Sequence, residues 1–271
     1  MKCGEKWDIA VCSWSFQQGV GEIATAMKDM GVEHIHLALA PALAENGGDY
    51  LADVKKQNWK ITATMLSFDY EDYSTLETIK VTGGITPDDK WDSSRVLFER
   101  AVELTAELGV QYITFHVGFL NHHDKAYAEK FYFRVRTLAE IAQAAGVIFL
   151  LETGQETADD LIVFMETLDH PNVGLNFDPA NLILYNTDEP LSAIRKLSKY
   201  VRHVHIKDAV RTKVKGEWGS EVPWGDGDVN PFVFLNELAA DGYAGAISVE
   251  REAGSQRVKD IATAVRRLRA Y

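Results

Sequence analysis

Four side chains that can bind a metal ion or carry a proton end four successive apolar runs in the second half of the chain. They are Glu152, Asp178, His205 and Glu250. Short apolar runs of this kind are typical of the strands of a parallel sheet, which are buried on both faces. A charged group there is costly unless it is paired or bound to a metal. One of them alone, such as Asp178, could instead cap the next helix, but the four together predict a divalent metal site.

The run around His205 indicates which way these side chains point. His203, His205 and Lys207 alternate with Val204 and Ile206, so the three polar residues share one face of the strand. The apolar face must pack against helices, which directs the polar face into a barrel. We interpret His203, two residues deeper, as a hydrogen-bonded core residue and His205 as the ligand. Lys207, nearer the mouth, could reach a substrate oxygen or form an ion pair with a carboxylate.

Other side chains are expected near the same mouth. Glu250 and Glu252 share one strand parity, but the apolar run stops at Val249, so Glu250 is the favoured ligand and Glu252 belongs to the rim. His116 ends the fourth run and is expected to face the cavity as a hydrogen-bond donor or weak ligand. Trp14 could offer an apolar ring face to the C–H groups of a sugar, with packing in the core or rim as the alternative.

The elements that would position these residues alternate regularly along the chain. Short β-branched runs are followed by longer amphipathic runs, a pattern typical of βα units around a parallel sheet. The predicted strands are 8–12, 34–38, 61–66, 112–116, 147–152, 173–178, 201–207 and 246–250. The clearest predicted helices are 93–108, 126–145, 231–240 and 255–270, and several end at a glycine suited to a left-handed cap. Because no linker-like stretch divides the chain, residues 1–271 are predicted to form a single (β/α)8 TIM-barrel domain of the α/β class.

Two connections are longer than a barrel requires. Residues 67–91 follow the third predicted strand, and residues 208–228 follow the seventh. Both leave the carboxyl end of a strand, where the active sites of such barrels are built. Each is therefore a candidate lid, with ordinary surface elaboration as the alternative.

Composition and charge narrow the classes of partner. Apolar residues make up 46% of the chain, charged residues 25%, and the formal net charge is −12. That charge opposes contact with nucleic acid or an anionic membrane. The two cysteines, Cys3 and Cys12, cannot form a multi-bridge disulfide framework, and neither a signal-peptide core nor a long apolar span is evident. The sequence therefore predicts a cytoplasmic protein, not anchored to a membrane, that acts on a small molecule.

Four motifs carry a resemblance to a known family. They are ETGQ at 152–155, NFDPAN at 176–181, HVHIKD at 203–208 and SVERE at 248–252. With them the chain resembles the sugar isomerase/epimerase family, which has a xylose isomerase-like barrel and includes ketose 3-epimerases, hydroxypyruvate isomerase and inosose dehydratase. The resemblance implies that Glu152, Asp178, His205 and Glu250 bind one divalent metal. It also implies that Glu152 and Glu250 exchange protons with opposite faces of the substrate.

The same resemblance bears on substrate contacts. Ketose 3-epimerases carry a histidine three residues after the strand-six aspartate, where this chain has Asn181. Arg211 matches the position of a substrate-binding arginine in those epimerases. We therefore expect Asn181 and Arg211 to contact the substrate, together with His116, Lys207 and Trp14.

The predicted ligand set indicates the chemistry. Three carboxylates and one imidazole suit an octahedral ion, first of all Mn²⁺, with Mg²⁺, Co²⁺ and Zn²⁺ as alternatives. Such an ion would polarise a carbonyl and its neighbouring hydroxyl, so that a glutamate can remove the C–H proton beside the metal-bound carbonyl and form an enediolate. The place to which that proton returns distinguishes an isomerase from an epimerase.

Several functions therefore remain open. The family resemblance favours an isomerase or epimerase acting on a ketose or keto-sugar. The alternative is a lyase or dehydratase that eliminates a β-leaving group from a keto-sugar, 3-keto-glycoside or inosose. An AP endonuclease, which shares the fold, would need more histidines for zinc and a basic groove, and Asn181 and the net charge of −12 oppose it. Phosphate on the substrate is not favoured, and a homo-oligomer is compatible with the sequence.

Overall fold

A closed parallel barrel forms the centre of the computed structural model, which describes residues 6–44, 47 and 49–271, so that Cys3 lies outside the described residues. The barrel strands are β1 (Ile9–Cys12), β2 (His34–Ala38), β3 (Lys60–Met65), β4 (Tyr112–Phe115), β5 (Ile148–Glu152), β6 (Val173–Phe177), β7 (Val201–Ile206) and β10 (Ile247–Val249). Their order around the barrel is β1-β10-β7-β6-β5-β4-β3-β2, and every neighbouring pair is parallel. The predicted (β/α)8 TIM barrel is confirmed.

Helices connect the strands. They are α1 (Val20–Met30), α2 (Ala40–Leu43), α3 (Tyr50–Lys56), α4 (Leu76–Thr82), α5 (Trp91–Glu107), α6 (Lys125–Ala144), α7 (Ala158–Leu168), α8 (Pro179–Leu184), α9 (Pro190–Leu197), α10 (Pro231–Ala240) and α11 (Arg257–Ala270), with 3-10 turns at Ser13–Phe16 and Ser198–Tyr200. The glycines predicted to end helices, Gly31, Gly109, Gly146 and Gly242, have φ values between 65° and 74°, as left-handed caps require. No helix among the described residues is long and apolar enough to cross a membrane.

The inward and outward faces of the strands differ in chemistry, as strand alternation predicts. Outside the barrel, Phe115 and Phe149 stack with ring centroids 4.9 Å apart, and Phe98 of α5 packs against both. Inside, buried polar side chains bond one another: His203 Nδ1 of β7 lies 2.9 Å from Asn176 Oδ1 of the adjacent strand β6. The apolar packing under the helices therefore stabilises the fold, while the barrel interior carries the polar groups.

The two long connections are ordered and reach the mouth of the barrel. Residues 67–91 contain α4, and residues 208–228 contain an antiparallel hairpin of β8 (Asp208–Val210) and β9 (Ser220–Val222). The carboxylate of Asp208 accepts hydrogen bonds from the backbone N–H groups of Ala209, Gly225, Gly227 and Val229 at 2.9–3.1 Å. A Cβ on Gly227 would lie 2.3 Å from Asp208 Oδ1, so this close approach requires glycine. Asp208 thus holds the second connection in one conformation.

Candidate metal centre

The ends of four adjacent barrel strands bring Glu152, Asp178, His205 and Glu250 together. Each offers one ligand atom, these atoms lie within 4.8 Å of one another, and all four residues are buried. The strand order β10-β7-β6-β5 places the two glutamates on the outer strands of this arc, with His205 and Asp178 between them. The four residues that the sequence analysis proposed as ligands therefore form one cluster, with a glutamate on either side.

His205 Nδ1 is close to an oxygen atom of each of the other three residues. It lies 3.2 Å from Glu152 Oε1, 3.4 Å from Asp178 Oδ2 and 3.3 Å from Glu250 Oε2. His205 Nδ1, Asp178 Oδ2 and Glu250 Oε2 nevertheless lack a hydrogen-bond partner of acceptable geometry. Adjacent ligands of an octahedral ion with bonds of about 2.1 Å are about 3 Å apart. Converging buried atoms at this spacing, without hydrogen bonds between them, fit a divalent cation.

Asp178 both caps a helix and contributes an oxygen atom to the four-residue cluster. Its Oδ1 caps α8 by accepting hydrogen bonds from the backbone N–H groups of Ala180 at 2.8 Å and Asn181 at 3.0 Å. Its Oδ2 faces the cluster without a bond. Burial raises the pKa of Asp178 to about 6, while the ammonium of Lys207 opposes that rise. The helix cap fixes the carboxylate so that the second oxygen is presented to the centre.

His36 lies in a position to orient the His205 ring and was missed in the sequence analysis. Two nitrogen atoms lie 3.1 Å from His205 Nε2, namely His36 Nδ1 and the amide nitrogen of Asn176. If Nδ1 of His205 binds a cation, its Nε2 carries the hydrogen. His36 Nδ1 can accept this hydrogen, whereas the amide nitrogen of Asn176 can only donate. His36 Nε2 in turn lies 3.0 Å from Thr114 Oγ1. Burial, with His203 and His205 nearby, holds the pKa of His36 well below its usual value, so the ring is neutral and can accept.

A signal for His36 was present in the sequence. Strand β2 reads HIHLA, so His34 and His36 repeat the spacing of His203 and His205 in β7. A second cluster of potential ligands, Cys12, His36 and His205, lies beside the first. Burial raises the pKa of the Cys12 thiol to about 12, so the thiol is protonated at neutral pH and is a poor ligand for a hard cation.

Lys207 is paired with carboxylates at the edge of the cluster. Its Nζ lies 2.9 Å from Glu250 Oε2, 2.7 Å from Glu252 Oε2 and 3.8 Å from Asp178 Oδ2. Although burial favours the neutral amine, these carboxylates raise the pKa of Lys207 well above its usual value. The same pairing, against the effect of burial, holds the pKa of Glu250 well below its usual value. The three carboxylates of the cluster, this ammonium and one divalent cation would together be neutral.

A cavity of about 840 Å³ opens above the cluster. The two glutamates, Lys207, Asn181, His116 and Trp14 are among the residues that line it. Trp14 Nε1–H donates a hydrogen bond of 2.8 Å to Glu250 Oε1, and Asn181 Nδ2–H donates one of 3.2 Å to Glu152 Oε1. Each glutamate is thus oriented by a neighbour, and two of the five predicted substrate contacts, Trp14 and Asn181, also bond a predicted ligand.

Arg211 lies apart from this cavity, although the sequence analysis predicted that it contacts the substrate. Its guanidinium bonds Asn186 Oδ1 at 2.8 Å, the Asp188 carbonyl oxygen at 2.7 Å and Glu189 Oε1 at 3.1 Å. It is not among the described residues that line the cavity. Both long connections do reach the lining, through Phe68, Glu71 and Tyr73 of the first and Trp218 and Glu221 of the second.

His203 lies deeper and is fully bonded. Besides Asn176, it contacts Ser248 Oγ at 3.1 Å and Thr62 Oγ1 at 3.2 Å through Nε2. We expect His203→Asn to lower the melting temperature more than it lowers Mn²⁺ affinity, and His205→Asn to do the reverse. Thermal unfolding and calorimetric titration of both variants measure the two effects. Equal loss of Mn²⁺ binding in two well-folded variants would show that depth does not separate the two roles.

His36→Leu should lower Mn²⁺ affinity about 10- to 100-fold, because it removes the acceptor that orients His205 while leaving every ligand in place. His36→Gln keeps an acceptor and should retain more of the affinity. His34→Leu is the matched control, since His34 begins the same strand and lies 3.4 Å from Asp8 rather than near the cluster. Calorimetric titration with Mn²⁺ measures all three, and equal affinities for His36→Leu and His34→Leu would argue against the orienting role.

Comparisons with known proteins agree with this architecture. A family model described as Xylose isomerase-like TIM barrel matches residues 22–271. A solved xylose isomerase domain protein from Planctomyces limnophilus is 30% identical, with a TM-score of 0.86, over 97% of this chain and 95% of that one. A 3-keto-D-glucoside 4-epimerase from E. coli shares the fold, with a TM-score of 0.71 and 18% identity over 98% of this chain and 100% of that one.

A curated relative gives a narrower match. An inosose dehydratase from Clostridium tetani is 28% identical over 126 residues. That segment spans 42% of this chain and 42% of the relative, so less than half of either protein is compared. The chain therefore shares its fold with an epimerase and part of its sequence with a dehydratase.

Proposed function

The chain belongs to the xylose isomerase-like TIM barrel family, and from that premise we propose that it is a metal-dependent enzyme that isomerises or epimerises a ketose or keto-sugar. The observation that carries the proposal is the convergence of two buried glutamates, from β5 and from the end of β10, on His205 Nδ1. A cavity large enough for a sugar opens directly above them. The proposed substrate is a small molecule.

Glu152, Asp178, His205 and Glu250 would hold the cation, and the oxygen-rich set favours Mn²⁺ over Mg²⁺, Co²⁺ or Zn²⁺. When bound, a divalent cation supplies Lewis-acid polarisation of a carbonyl and its neighbouring hydroxyl. Glu152 and Glu250 then provide carboxylates on two sides of the substrate. One removes the C–H proton beside the carbonyl, and the same or the opposite glutamate returns it.

Neighbouring side chains orient the two glutamates for proton transfer. Trp14 and Asn181 each donate a hydrogen bond to one carboxylate, which fixes the direction from which a proton is taken. Lys207 borders the cavity beside Glu250, where its ammonium can stabilise negative charge that develops on a substrate oxygen. A proton returned to the other face of its carbon gives an epimer, and one returned to the adjacent carbon gives an isomer.

Elimination is a second candidate function. It begins with the same proton abstraction but ends with loss of a β-leaving group, so the same four residues serve it. The observation that favours it is the 28% identity to an inosose dehydratase over 126 residues. Candidate substrates for this branch are inososes, 3-keto-glycosides and other keto-sugars.

The proposal is tested by incubating the Mn²⁺-loaded protein in D₂O with a panel of free ketoses, inososes and 3-keto-glycosides. We expect solvent deuterium to appear at one substrate carbon by mass spectrometry, and NMR would identify that carbon. An isomer or epimer supports the first function. A product lighter by one water, or by the aglycone alcohol in the case of a 3-keto-glycoside, supports the second. Absence of exchange with every compound, or conversion that retains all original hydrogens, would refute proton abstraction.

A further inference from the structure

His116 is a buried imidazole without a bonding partner. It follows β4 directly, is 8% exposed and lines the cavity. Neither Nδ1 nor Nε2 has a hydrogen-bond partner among the described residues, and both are shielded from solvent. A neutral imidazole always carries one N–H, so at least one donor is left unsatisfied. Because buried polar groups are rarely left unpaired, this ring points to a ligand group that the cavity receives.

The surroundings of His116 are acidic and aromatic. Glu71 Oε1, from the connection that follows β3, lies 3.8 Å from Nδ1. Glu156, in the connection that follows β5, is also buried and accepts a hydrogen bond of 3.0 Å from the backbone N–H of Leu120. Tyr185 lies nearly parallel to the imidazole at 6.4 Å between centroids, and Tyr73 approaches it edge-on at 6.5 Å. The Glu71 carboxylate and two tyrosine rings therefore border the imidazole.

The position of Glu71 is fixed by its own connection. Its Oε2 accepts a hydrogen bond of 3.2 Å from the backbone N–H of Phe68, and its Oε1 accepts one of 2.8 Å from Gly84. Gly84 has φ +57°, and a Cβ there would lie 2.1 Å from the carbonyl carbon of Val117. This close packing brings the carboxylate to His116. Catalytic hydrogen bonds are often long without substrate, so a gap of 3.8 Å is compatible with a working pair.

We propose that His116 and Glu71 form a second acid–base pair, in which His116 protonates the hydroxyl group that leaves when the enzyme dehydrates a keto-sugar or inosose. The proposal rests on the proton abstraction proposed above and selects its elimination branch. Epimerisation changes only C–H bonds, for which Glu152 and Glu250 suffice. Elimination also breaks a C–O bond, and a departing hydroxide requires a proton.

Dehydration breaks one C–H bond and one C–O bond. One glutamate takes the proton from the carbon beside the carbonyl, and the C–H electron pair forms a C=C bond to the next carbon. The C–O bond on that carbon breaks with its electron pair on oxygen. The imidazolium of His116 gives its proton to that oxygen, so that water leaves. Glu71 acts as a positioning residue: when its carboxylate closes the 3.8 Å gap and accepts Nδ1–H, Nε2–H is left for the substrate.

The test compares two probes, 2-keto-myo-inositol and its analogue with fluorine in place of the hydroxyl on the β-carbon. Fluoride leaves without prior protonation. We expect His116→Gln to slow water loss from 2-keto-myo-inositol by roughly 10² to 10⁴ and fluoride loss by less than about tenfold. Exchange of the α-hydrogen in D₂O should persist, because the glutamates are intact. His122→Gln is the matched control, since His122 lies in the connection that follows β4 and contacts the Asp160 carbonyl oxygen at 3.2 Å.

Glu71→Gln provides a second variant should His116→Gln fail to fold. A positioning role predicts a fall in kcat for water loss with little change in KM, and partial recovery in Glu71→Asp. If Glu71 had a purely structural role, the variant would instead lose water and fluoride more slowly to the same extent. Equal slowing, or a wild type that exchanges the α-hydrogen and forms an epimer without releasing water, overturns the role of His116. Absence of α-hydrogen exchange in the wild type would instead overturn the proposed function itself.

Discussion

Glu152→Gln or Glu250→Gln is expected to lower turnover by roughly 10² to 10⁴, because each change keeps an oxygen at the cluster but removes a base. The two carboxylates come from β5 and from the end of β10, on either side of the proposed substrate position, so they should act on different faces. Exchange of solvent deuterium into the substrate should therefore be suppressed in at least one variant. Turnover and deuterium incorporation, followed by NMR, measure the two effects separately.

Loss of metal would imitate loss of the base, so Mn²⁺ occupancy must be measured in each Gln variant. Glu166→Gln is the control for the amide substitution, because Glu166 lies on the outer helix α7 and contacts Lys199 at 3.5 Å. Full activity in both metal-loaded variants would contradict a proton-transfer role for either glutamate. Transfer of the substrate's own hydrogen without exchange would indicate a hydride shift instead.

Asp178→Asn is expected to lower Mn²⁺ affinity by an order of magnitude or more, since it removes one charged ligand from a buried cluster. In this structure the substitution should affect only one of the two carboxylate oxygens. Asn is as good a helix N-cap as Asp, so the amide oxygen can replace Oδ1 on the N–H groups of Ala180 and Asn181. The change therefore acts on Oδ2, which faces the centre.

Calorimetric titration with Mn²⁺ checks this expectation, with the melting temperature as the measure of fold. Glu252→Gln is the comparison, because Glu252 contacts Lys207 at 2.7 Å but lies outside the four-residue cluster. We expect it to change Mn²⁺ affinity less than Asp178→Asn does. Unchanged affinity in Asp178→Asn would remove Asp178 from the ligand set.

The long helices were predicted to within two residues at each end. Examples are α5 at Trp91–Glu107 and α6 at Lys125–Ala144, against predictions of 93–108 and 126–145. Their signals are local, since helical periodicity and a glycine at the end act within a few residues. The short helices α2, α4 and α8 lie in connections whose conformation depends on packing against the barrel, and no individual prediction was made for them.

By itself the sequence determined the four candidate ligands and, for β7, the side of the strand on which its polar residues lie. Strand alternation and the position at which an apolar run stops are properties of neighbouring residues, and parallel strands of a barrel end at one mouth. These rules suffice to bring Glu152 and Glu250 to the same site, although 98 positions separate them in the chain. They do not reveal which other side chains contact each candidate ligand.

The tertiary structure decided which residues contact and orient the side chains of the site. His36 lies behind His205, Trp14 reaches Glu250 across 236 positions of sequence, and Glu71 approaches His116 through a glycine turn. Arg211, expected at the substrate, instead bonds Asn186 and Asp188. Each of these contacts depends on the register in which the barrel closes and on how a long connection folds back over the mouth. Such long-range packing carries no local periodicity, and for this reason the residues that orient the site emerge from the folded protein.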